Sequence, residues 1–337
     1  MLGNFFSLPD DPSAGLWGRI IANDPIITIS KRTTDAPLGI AGAVPGFFRR
    51  KKAFHILSNT WNHYNEKRIR LLHKELMQLS RQLVDNHFLY LGNTRYEVLL
   101  LNKHGIPAIC SSELIPIDDT VFKPGTGLDV TIPATDAVYT GRLKDTKRHE
   151  LAYGLEHLAL VYGKDYQEKY EKIRREKPQW IYVNHLLGNG EYYFMNTREI
   201  AGVLNRCRVG LCLSKEEGAM RASIEYLLCG LPVVTTRNIG GRDRYFTPEN
   251  CIYADDNPES VAAAVQAFLD NPPDRKKIRD DVIRKVNFDR ADFMRSVNEV
   301  IEFIYHIPNR LESFSNITGY LEDYRPAEEI LSDLDRL

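Results

Sequence analysis

The 337-residue sequence lacks the marks of several large protein classes. No stretch approaches 18 consecutive apolar residues, so we predict no membrane-spanning helix. The first residues lack the basic start and apolar centre of a signal peptide. The five cysteines are an odd number and contain no C-x-x-C pair. This pattern argues against a zinc site and a disulfide framework and favours a reducing compartment, so we expect a cytoplasmic protein.

The sequence also has little excess of either charge. Lys and Arg number 44, Asp and Glu number 45, and the net charge is −1, which excludes a dominant nucleic-acid-binding surface. Residues 31–74 differ, because they carry ten basic and only two acidic side chains. Within them, residues 45–52 read PGFFRRKK. Three interpretations fit this stretch: contact with an anionic membrane surface, binding of an anionic ligand, and a solvated basic loop.

What the sequence has is an alternation of short apolar runs with amphipathic segments. The predicted strands of the first part are residues 26–30, 54–58, 88–91 and 108–110. Between positions 69 and 83, leucine and isoleucine recur at steps of three and four, which is typical of an amphipathic helix. A second helix is predicted over 95–103. This repetition predicts a parallel sheet with helices on both faces.

The alternation starts again after Pro124-Gly125-Thr126-Gly127, which is the best linker candidate. The predicted strands of this second part are residues 137–140, 180–183, 209–213, 232–235 and 251–253. The predicted helices are residues 148–161, 200–205, 222–229 and 258–269, followed by an almost entirely helical tail. We therefore predict an α/β chain with domains over residues 1–125 and 126–305 and C-terminal helices over 306–337.

One segment, residues 214–236, has a pattern that suits a bound phosphate. Glu217 and Glu225 bracket a junction between a strand and a helix. Gly218 lets the backbone approach a ligand closely, and the free N–H groups of a helix beginning near Ala219 attract an anion. The two carboxylates are separated by up to about 12 Å along the helix, which is the span of a sugar nucleotide from its sugar to its ribose. Carboxylates suit both ends because they accept hydrogen bonds from hydroxyl groups.

These residues resemble the C-terminal signature of GT-B glycosyltransferases, in particular the retaining glycosyltransferase family 4 (glycosyl transferases group 1). Glu217 and Glu225 keep the family's E-x7-E spacing, and GLPVV at 230–234 resembles its G-x-P-V-V strand entry. The sequence NIGGRD at 238–243 resembles its Gly-Gly-acid turn. The resemblance implies two Rossmann-like parallel-sheet domains that face each other across a cleft. The first would bind the acceptor and the second the nucleotide-sugar donor, with the C-terminal helices crossing back to the first.

The resemblance extends over about residues 87–270. Residues 139–147 are similar to a family strand that ends in G-R-L with a lysine about five positions on, which would place Arg142 and Lys147 on the donor diphosphate. Fixed cations there would stabilise the charge of a departing nucleoside diphosphate. The first 85 residues match poorly. Among them, only residues 13–18 are a candidate for the Gly-rich loop that the family places near the donor.

The resemblance also implies roles for individual residues. Glu217 would hold hydroxyls of the donor sugar, and Glu225 would hold the ribose. The diphosphate would be held by Arg142, Lys147 and the backbone N–H groups of Gly218, Ala219 and Met220. The base would pack near residues 183–199. This range contains His185, for which a purely structural role fits at least as well as a role in binding. His63 is our candidate for an N-terminal histidine that contacts the donor sugar or the acceptor, whereas His55 is expected in the core.

The mechanism implied by the resemblance retains the configuration of the anomeric carbon and uses no divalent metal or other cofactor. The sequence has one D-x-D, Asp333-Leu334-Asp335, which we expect in a solvated tail. The predicted reaction moves a hexose from a nucleoside-diphosphate sugar, with a UDP-sugar as the first choice. The acceptor would be a glycan or a lipid-linked glycan of polysaccharide biosynthesis. For the basic stretch 45–52, peripheral contact at the inner face of a membrane stays one of the three open interpretations.

Two alternatives remain open at this point. One is a sugar-nucleotide epimerase of the same fold, which would need acidic and histidine residues clustered around the hexose. A phosphorylase would usually need a pyridoxal lysine and a longer chain. The other alternative is a non-catalytic protein that binds a sugar nucleotide or serves as an assembly subunit, because the first domain matches the family poorly.

Overall fold

A computed structural model describes residues 10–32, 38–59 and 65–337. The chain forms two compact units, which we call unit 1 and unit 2. Unit 1 comprises Met1–Ile117 together with Phe288–Leu337, and unit 2 comprises Asp118–Asn287. The chain thus divides at 117 and 287, whereas the sequence led us to expect divisions at 125 and 305.

The described residues form fourteen strands and eleven α-helices. The strands are β1 Gly15–Asn23, β2 Ile26–Arg32, β3 Ala53–Asn59, β4 Asn86–Gly92, β5 Ala108–Cys110, β6 Thr135–Thr140, β7 Leu158–Val161, β8 Ile181–Tyr182, β9 Cys207–Cys212, β10 Glu216–Glu217, β11 Val233–Thr235, β12 Ile239–Gly240, β13 Cys251–Tyr253 and β14 Tyr324–Pro326. The helices are α1 Gly39–Ala43, α2 Pro45–Phe48, α3 Glu66–Ser80, α4 Arg95–Lys103, α5 Gln167–Glu176, α6 Val183–Leu187, α7 Thr197–Asn205, α8 Arg221–Leu228, α9 Pro258–Asp270, α10 Arg275–Tyr305 and α11 Ala327–Leu331. None of the helices in this part of the chain combines the length and apolar character that a membrane crossing requires.

Unit 1 contains a six-stranded sheet in the order β14-β1-β2-β3-β4-β5. Strands β2 to β5 are parallel, as predicted, but β1 is antiparallel to β2 and β14 is antiparallel to β1. The expectation of a Gly-rich loop at residues 13–18 is wrong, because Gly15 and Gly18 lie in β1. Gly18 pairs with Ser30 of β2, and a Cβ at Gly18 would lie 2.9 Å from the Cβ of Ser30.

Apolar side chains cover both faces of this sheet. Helix α3 buries Ile69, Leu72, Leu76 and Leu79 against one face, as its periodicity predicted. Its first turn is capped by the Asn65 side chain, which accepts a hydrogen bond from the Lys67 backbone at 3.0 Å. The second half of α10 covers the opposite face with Phe293, Val297 and Ile301. The β2–β5 core is therefore an α/β layer structure.

Unit 2 contains a second six-stranded sheet, in the order β13-β11-β9-β6-β7-β8, whose strands are all parallel. The helix predicted over residues 148–161 is wrong. His149–Ala152 forms only a 3-10 turn, and Leu158–Val161 is strand β7, paired with β6. Gly154 separates the two and packs so closely that a Cβ there would lie 2.6 Å from the Pro258 carbonyl oxygen. A short apolar run of this kind fits a buried strand as well as a helix.

The C-terminal tail also differs from its prediction. Helix α10 ends at Tyr305, β14 then adds a strand to the first sheet, and the short helix α11 follows it. Asp333, expected in a solvated tail, is 9% exposed and accepts hydrogen bonds from Arg325 at 3.1 and 3.0 Å. The D-x-D sequence therefore serves packing within unit 1, because one of its carboxylates neutralises a neighbouring arginine.

Two buried histidines make the fold sensitive to acid. His55 lies in the core of unit 1, as expected, 2.9 Å from both Thr28 Oγ1 and Asn86 Oδ1, and burial lowers its pKa to about 4. His149, in unit 2, packs on the Tyr139 ring, and burial lowers its pKa to about 3. Neither ring nitrogen of His149 has a hydrogen-bond partner among the described residues. Both side chains are therefore neutral in the folded protein at neutral pH.

Replacing His149 with phenylalanine is expected to make the protein less sensitive to acid. Between about pH 6.5 and pH 4, the unfolded chain protonates histidines that the folded protein keeps neutral, so stability falls as the pH falls. Urea unfolding near pH 8 should change by about 1 kcal/mol or less, because no hydrogen bond is lost. The loss of stability between about pH 6.5 and pH 4 should become smaller.

His55→Phe is the contrasting variant. This substitution removes the hydrogen-bond partner of the Thr28 hydroxyl and of the Asn86 side-chain oxygen, Oδ1. It should therefore lower stability at every pH. An unchanged pH dependence in His149→Phe would refute the assignment of acid sensitivity to His149.

Candidate functional site

The carboxyl edge of the sheet in unit 2 brings two predicted site residues into contact. The ammonium group of Lys147 binds Oε1 of Glu217, although 70 residues separate them in the sequence. Their side chains are 16% and 7% exposed. In open α/β sheets, ligands bind at the carboxyl ends of the strands. The pair follows strands β6 and β9 and therefore lies where a ligand is expected.

The turn that carries Lys147 is fixed by its neighbours. The Tyr139 hydroxyl donates a hydrogen bond to the Lys147 carbonyl oxygen. The next residue, Arg148, has a φ of 52° and donates to the Leu213 carbonyl at 2.7 Å and to the Thr236 hydroxyl at 2.6 Å. A left-handed conformation is costly for a residue other than glycine. These bonds to the ends of β9 and β11 hold it in place and so define the position of Lys147.

Glu217 is positioned by the pairing of β10 with β12. Glu217 lies opposite Gly240, and the Gly241 N–H donates to the Gly218 carbonyl at 2.7 Å. Gly240 has a φ of +134°, and a Cβ there would lie 1.5 Å from the Glu217 carbonyl oxygen. Only glycine fits this position, because the backbone has a positive φ and because there is no room for a Cβ atom. The Gly-Gly turn recognised in the sequence therefore supports the backbone of Glu217.

Gly240→Ala is expected to weaken both folding and ligand binding at this edge. The new methyl group meets backbone rather than a flexible side chain, so β10 has to move. Gly125→Ala is the matched control, because Gly125 also has a positive φ, +84°, with nothing within 4 Å of its Cβ position. We expect a loss of about 1–2 kcal/mol in the control and a clearly larger loss for Gly240→Ala in urea unfolding. Equal losses would show that Gly240 is required for its conformation alone.

A fully buried arginine lies behind the Glu217 loop. Arg242 donates to the carbonyl oxygens of Ser214 and Thr236, each at 2.6 Å, and to the Asp243 carboxylate at 2.6 Å. Its side chain is 0% exposed. Arg242 therefore ties the segments that follow β9 and β11 to the Gly-Gly turn.

Helix α8 begins beside Glu217. Its first helical residue is Arg221, its N-cap residue Met220 provides no side-chain cap, and its first turn contains no acidic residue. Free N–H groups and the helix dipole therefore favour an anion at this end. Glu225, on the same helix, is 7% exposed and lies 3.6 Å from the Nε of Arg221.

Arg142 links this edge to a neighbouring cavity. Its side chain is exposed, and no ion pair involving Arg142 occurs within the described residues. A Cβ built on Gly163 would lie 3.9 Å from the Cγ of Arg142. Gly163 lines a cavity of about 350 Å³. An anion held at Arg142 would therefore lie close to any group bound in the cavity.

The cavity has an aromatic wall. Its lining includes Tyr162, Tyr170, His185 and Tyr192. The His185 ring stacks on Tyr170 with centroids 4.4 Å apart, and its Nδ1 lies 2.5 Å from the Tyr162 hydroxyl. Burial and the nearby Arg174 lower the pKa of His185, so the ring is neutral at physiological pH. The cavity thus offers flat, uncharged rings suited to a planar ligand.

Comparison with known proteins agrees with this geometry. Residues 136–284 match the sequence model of the family described as Glycosyl transferases group 1. Residues 136–284 are therefore identified as a glycosyl transferases group 1 domain. No match was found among curated proteins. The matched region contains every residue of the edge and cavity described above.

Solved structures show that the chain has the GT-B fold. HepE from Anabaena, in complex with UDP and glucose, has a TM-score of 0.53 and 15% identity, with 80% of this chain and 78% of that chain covered. An α,α-trehalose-phosphate synthase (UDP-forming) from Burkholderia xenovorans has a TM-score of 0.52 and 12% identity, with 80% and 73% covered. The narrower assignment to retaining family 4 stays a prediction.

The structure brings together most of the predicted site residues but not all. Lys147 and Glu217 meet, and Gly218, Ala219 and Met220 lead directly into α8. His63 lies outside the described residues. Nowhere in the described ranges do three or more His, Cys, Asp or Glu side chains cluster as metal ligands.

Sequence reasoning missed two groups of residues. The first group supports the site in unit 2 and comprises Tyr139, Tyr162, Tyr170 and Arg242. The tyrosine content of residues 162–193 was the available signal for the cavity. The second group lies at the carboxyl edge of the sheet in unit 1, where Lys31 binds Glu113 at 2.8 Å and the Glu113 N–H donates to Asn93 at 2.9 Å.

Proposed function

We propose that the protein is a glycosyltransferase that transfers a hexose from a nucleoside-diphosphate sugar, with a UDP-hexose as the first donor, to a glycan or lipid-linked glycan. The transfer would retain the anomeric configuration and use no divalent metal. The observation that carries the proposal is the buried contact between Lys147 and Glu217, beside the uncapped start of α8. The complex of HepE with UDP and glucose supports the choice of donor.

In this proposal the cations at the edge hold the diphosphate. Lys147, Arg142 and the N–H groups of Gly218 to Met220 all lie at or beside the carboxyl ends of β6 and β9. As the nucleoside diphosphate leaves, its negative charge increases, and donors fixed in place before the reaction stabilise that charge without rearranging. Arg142 contributes a planar group of donors, and Lys147 contributes a compact charge.

The Lys147–Glu217 contact also suggests how the donor enters. In the free protein each group neutralises the other. A bound donor would give Lys147 a phosphate oxygen and Glu217 the sugar hydroxyls, so both groups would exchange one polar partner for another. Glu225 would hold the ribose, and the aromatic cavity would hold the base.

The chemistry then needs no nucleophile from the protein. The bond between the anomeric carbon and the phosphate oxygen breaks, and the acceptor oxygen bonds to the same face of that carbon. The acceptor proton passes to an oxygen of the departing phosphate. Binding of the acceptor by unit 1 and a role for His63 both stay predictions, as do a cytoplasmic location and membrane contact of residues 45–52.

Thermal unfolding with nucleotides tests this proposal. UDP and UDP-hexoses, without metal, should stabilise the wild type by about 2.7 kcal/mol at a concentration 100 times the dissociation constant. Glu225→Gln should lose most of this shift if Glu225 holds the ribose. The matched control is Glu216→Gln, on an exposed carboxylate next to Glu217.

The outcomes separate the parts of the proposal. A shift with another nucleoside diphosphate would replace UDP but keep the donor site. A shift unaffected by Glu225→Gln would remove the ribose role of that residue. No shift with any nucleotide would overturn the proposed donor site.

A further inference from the structure

Four cations lie next to one another at the amino edge of the sheet in unit 1. Arg49, Arg50, Lys51 and Lys52 directly precede β3, and all four are exposed. Within the described ranges, none of them has an ion-pair partner. Because β2 to β5 are parallel, this edge is opposite the carboxyl edge, where ligands of such sheets bind. The cations therefore serve no ligand bound at the carboxyl edge of that sheet.

The backbone of this basic turn is held from beneath by buried polar groups. The Asn86 side-chain amide donates to the carbonyl oxygens of Phe48 and Lys51 at 3.2 and 3.1 Å. Asn86 in turn binds His55, which binds Thr28, and all three side chains are buried. A solvated loop needs no such support. This network fixes four like charges in one place although they repel one another.

Apolar side chains accompany the cations. Phe47 is half-buried, and the Lys51 ammonium lies 4.7 Å from the centre of its ring. The neighbouring turn, residues 81–85, is joined to the basic turn by a hydrogen bond of 3.1 Å from the Ala53 N–H to the Asp85 carbonyl. That turn carries Val84, which is 79% exposed, and the exposed cation Arg81.

We propose that this surface, residues 47–52 with 81–84, docks the protein onto an anionic membrane. The surface carries five cations, whereas the adjoining segments contribute two acidic residues, Asp10 and Asp85. Cations suit the phosphate and carboxylate groups of anionic lipids, and Val84 and Phe47 suit the boundary between headgroups and acyl chains. An exposed valine contributes nothing to binding a nucleic-acid backbone, so the combination favours lipid. The proposal does not depend on the donor site.

Sedimentation with vesicles tests the surface in the full-length protein. We expect wild-type protein to bind phosphatidylcholine vesicles containing about 30% phosphatidylserine, because anionic lipid attracts each nearby cation by about 1 kcal/mol. Changing Arg49, Arg50, Lys51 and Lys52 together to glutamine should weaken binding by about fivefold for each charge removed. Val84→Ser should weaken it by roughly three- to tenfold through lost apolar contact. Raising the salt to about 0.5 M should also release the wild type.

The matched control removes four cations from unit 2. Lys276, Lys277, Arg284 and Lys285 are exposed on α10, and their change to glutamine alters the net charge equally. This control should bind like the wild type, and thermal unfolding should show every variant folded. Equal binding by the wild type and the residue 49–52 variant would overturn the proposal. So would the absence of wild-type binding, equal binding to pure phosphatidylcholine, or stronger binding to an RNA duplex than to vesicles.

Discussion

Replacing Lys147 with methionine is expected to lower kcat about 10²- to 10³-fold. The variant keeps most of the side-chain volume but removes the cation that would face the departing diphosphate. Lys147 is nearly buried, so solvent compensates little for the lost charge. Initial rates of UDP release from a donor that gives a thermal shift, with and without acceptor, would measure the effect.

Two companion variants separate catalysis from folding. Lys147→Met leaves the Glu217 carboxylate buried without its partner, which destabilises the protein by itself. Adding Glu217→Gln should restore much of that stability without restoring the rate. Lys144→Met is the matched control on the same loop. The Lys144 ammonium lies over the Tyr166 ring, 5.6 Å from its centre, whereas the Lys147 ammonium contacts Glu217. A kcat in Lys147→Met equal to that of Lys144→Met would refute the role of Lys147.

Arg242→Met is expected to cause the largest loss of stability among the single substitutions considered. The guanidinium has three partners in a fully buried position, and its removal takes a charged donor away from two carbonyl oxygens and from the Asp243 carboxylate. Removing one partner of a buried ionic group costs about 3–5 kcal/mol. The urea midpoint of unit 2 should fall accordingly.

Arg237→Met serves as its control. Arg237 lies five positions earlier, is exposed, and should change stability by no more than about 0.5 kcal/mol. If nucleotide binding is lost in Arg242→Met at a temperature where the variant is still folded, then Arg242 also positions the Glu217 loop. A loss of stability no larger than that of the control would contradict the role of Arg242 as an anchor.

Local sequence patterns predicted most elements of both sheets because those elements bury continuous or periodic apolar surface. The helix predicted over 95–103 coincides with α4, and the periodic leucines of α3 are buried. Strands β2, β3 and β4 were found because each is an apolar run bounded by polar turns. Glu217, Glu225 and the turn that supports Glu217 stood out as candidates because E-x7-E and the Gly-Gly turn lie in one short segment; their role in donor binding stays a prediction.

The failures occurred where distant parts of the chain decide the structure. Residues 158–161 became a strand because β6 and β8 offer partners on both sides, which no local pattern reports. Antiparallel β14 exists because β1 lies beside it, three hundred residues earlier in the sequence. From the sequence alone, Arg242 is expected at the surface. Its burial is favourable only because three acceptors surround its guanidinium.

The position of β14 has a consequence for the order of synthesis. Unit 2 is one continuous stretch, Asp118–Asn287, so all its strands have been made before residues 288–337 are translated. Unit 1 begins earlier but is completed later, because β14 and the core residues of α10 are still missing. When residue 287 has just emerged from the ribosome, all of unit 2 is available to fold, whereas unit 1 still has one face of its sheet uncovered. Chaperones that bind nascent chains should therefore remain on residues 15–110 until residues 288–337 have emerged.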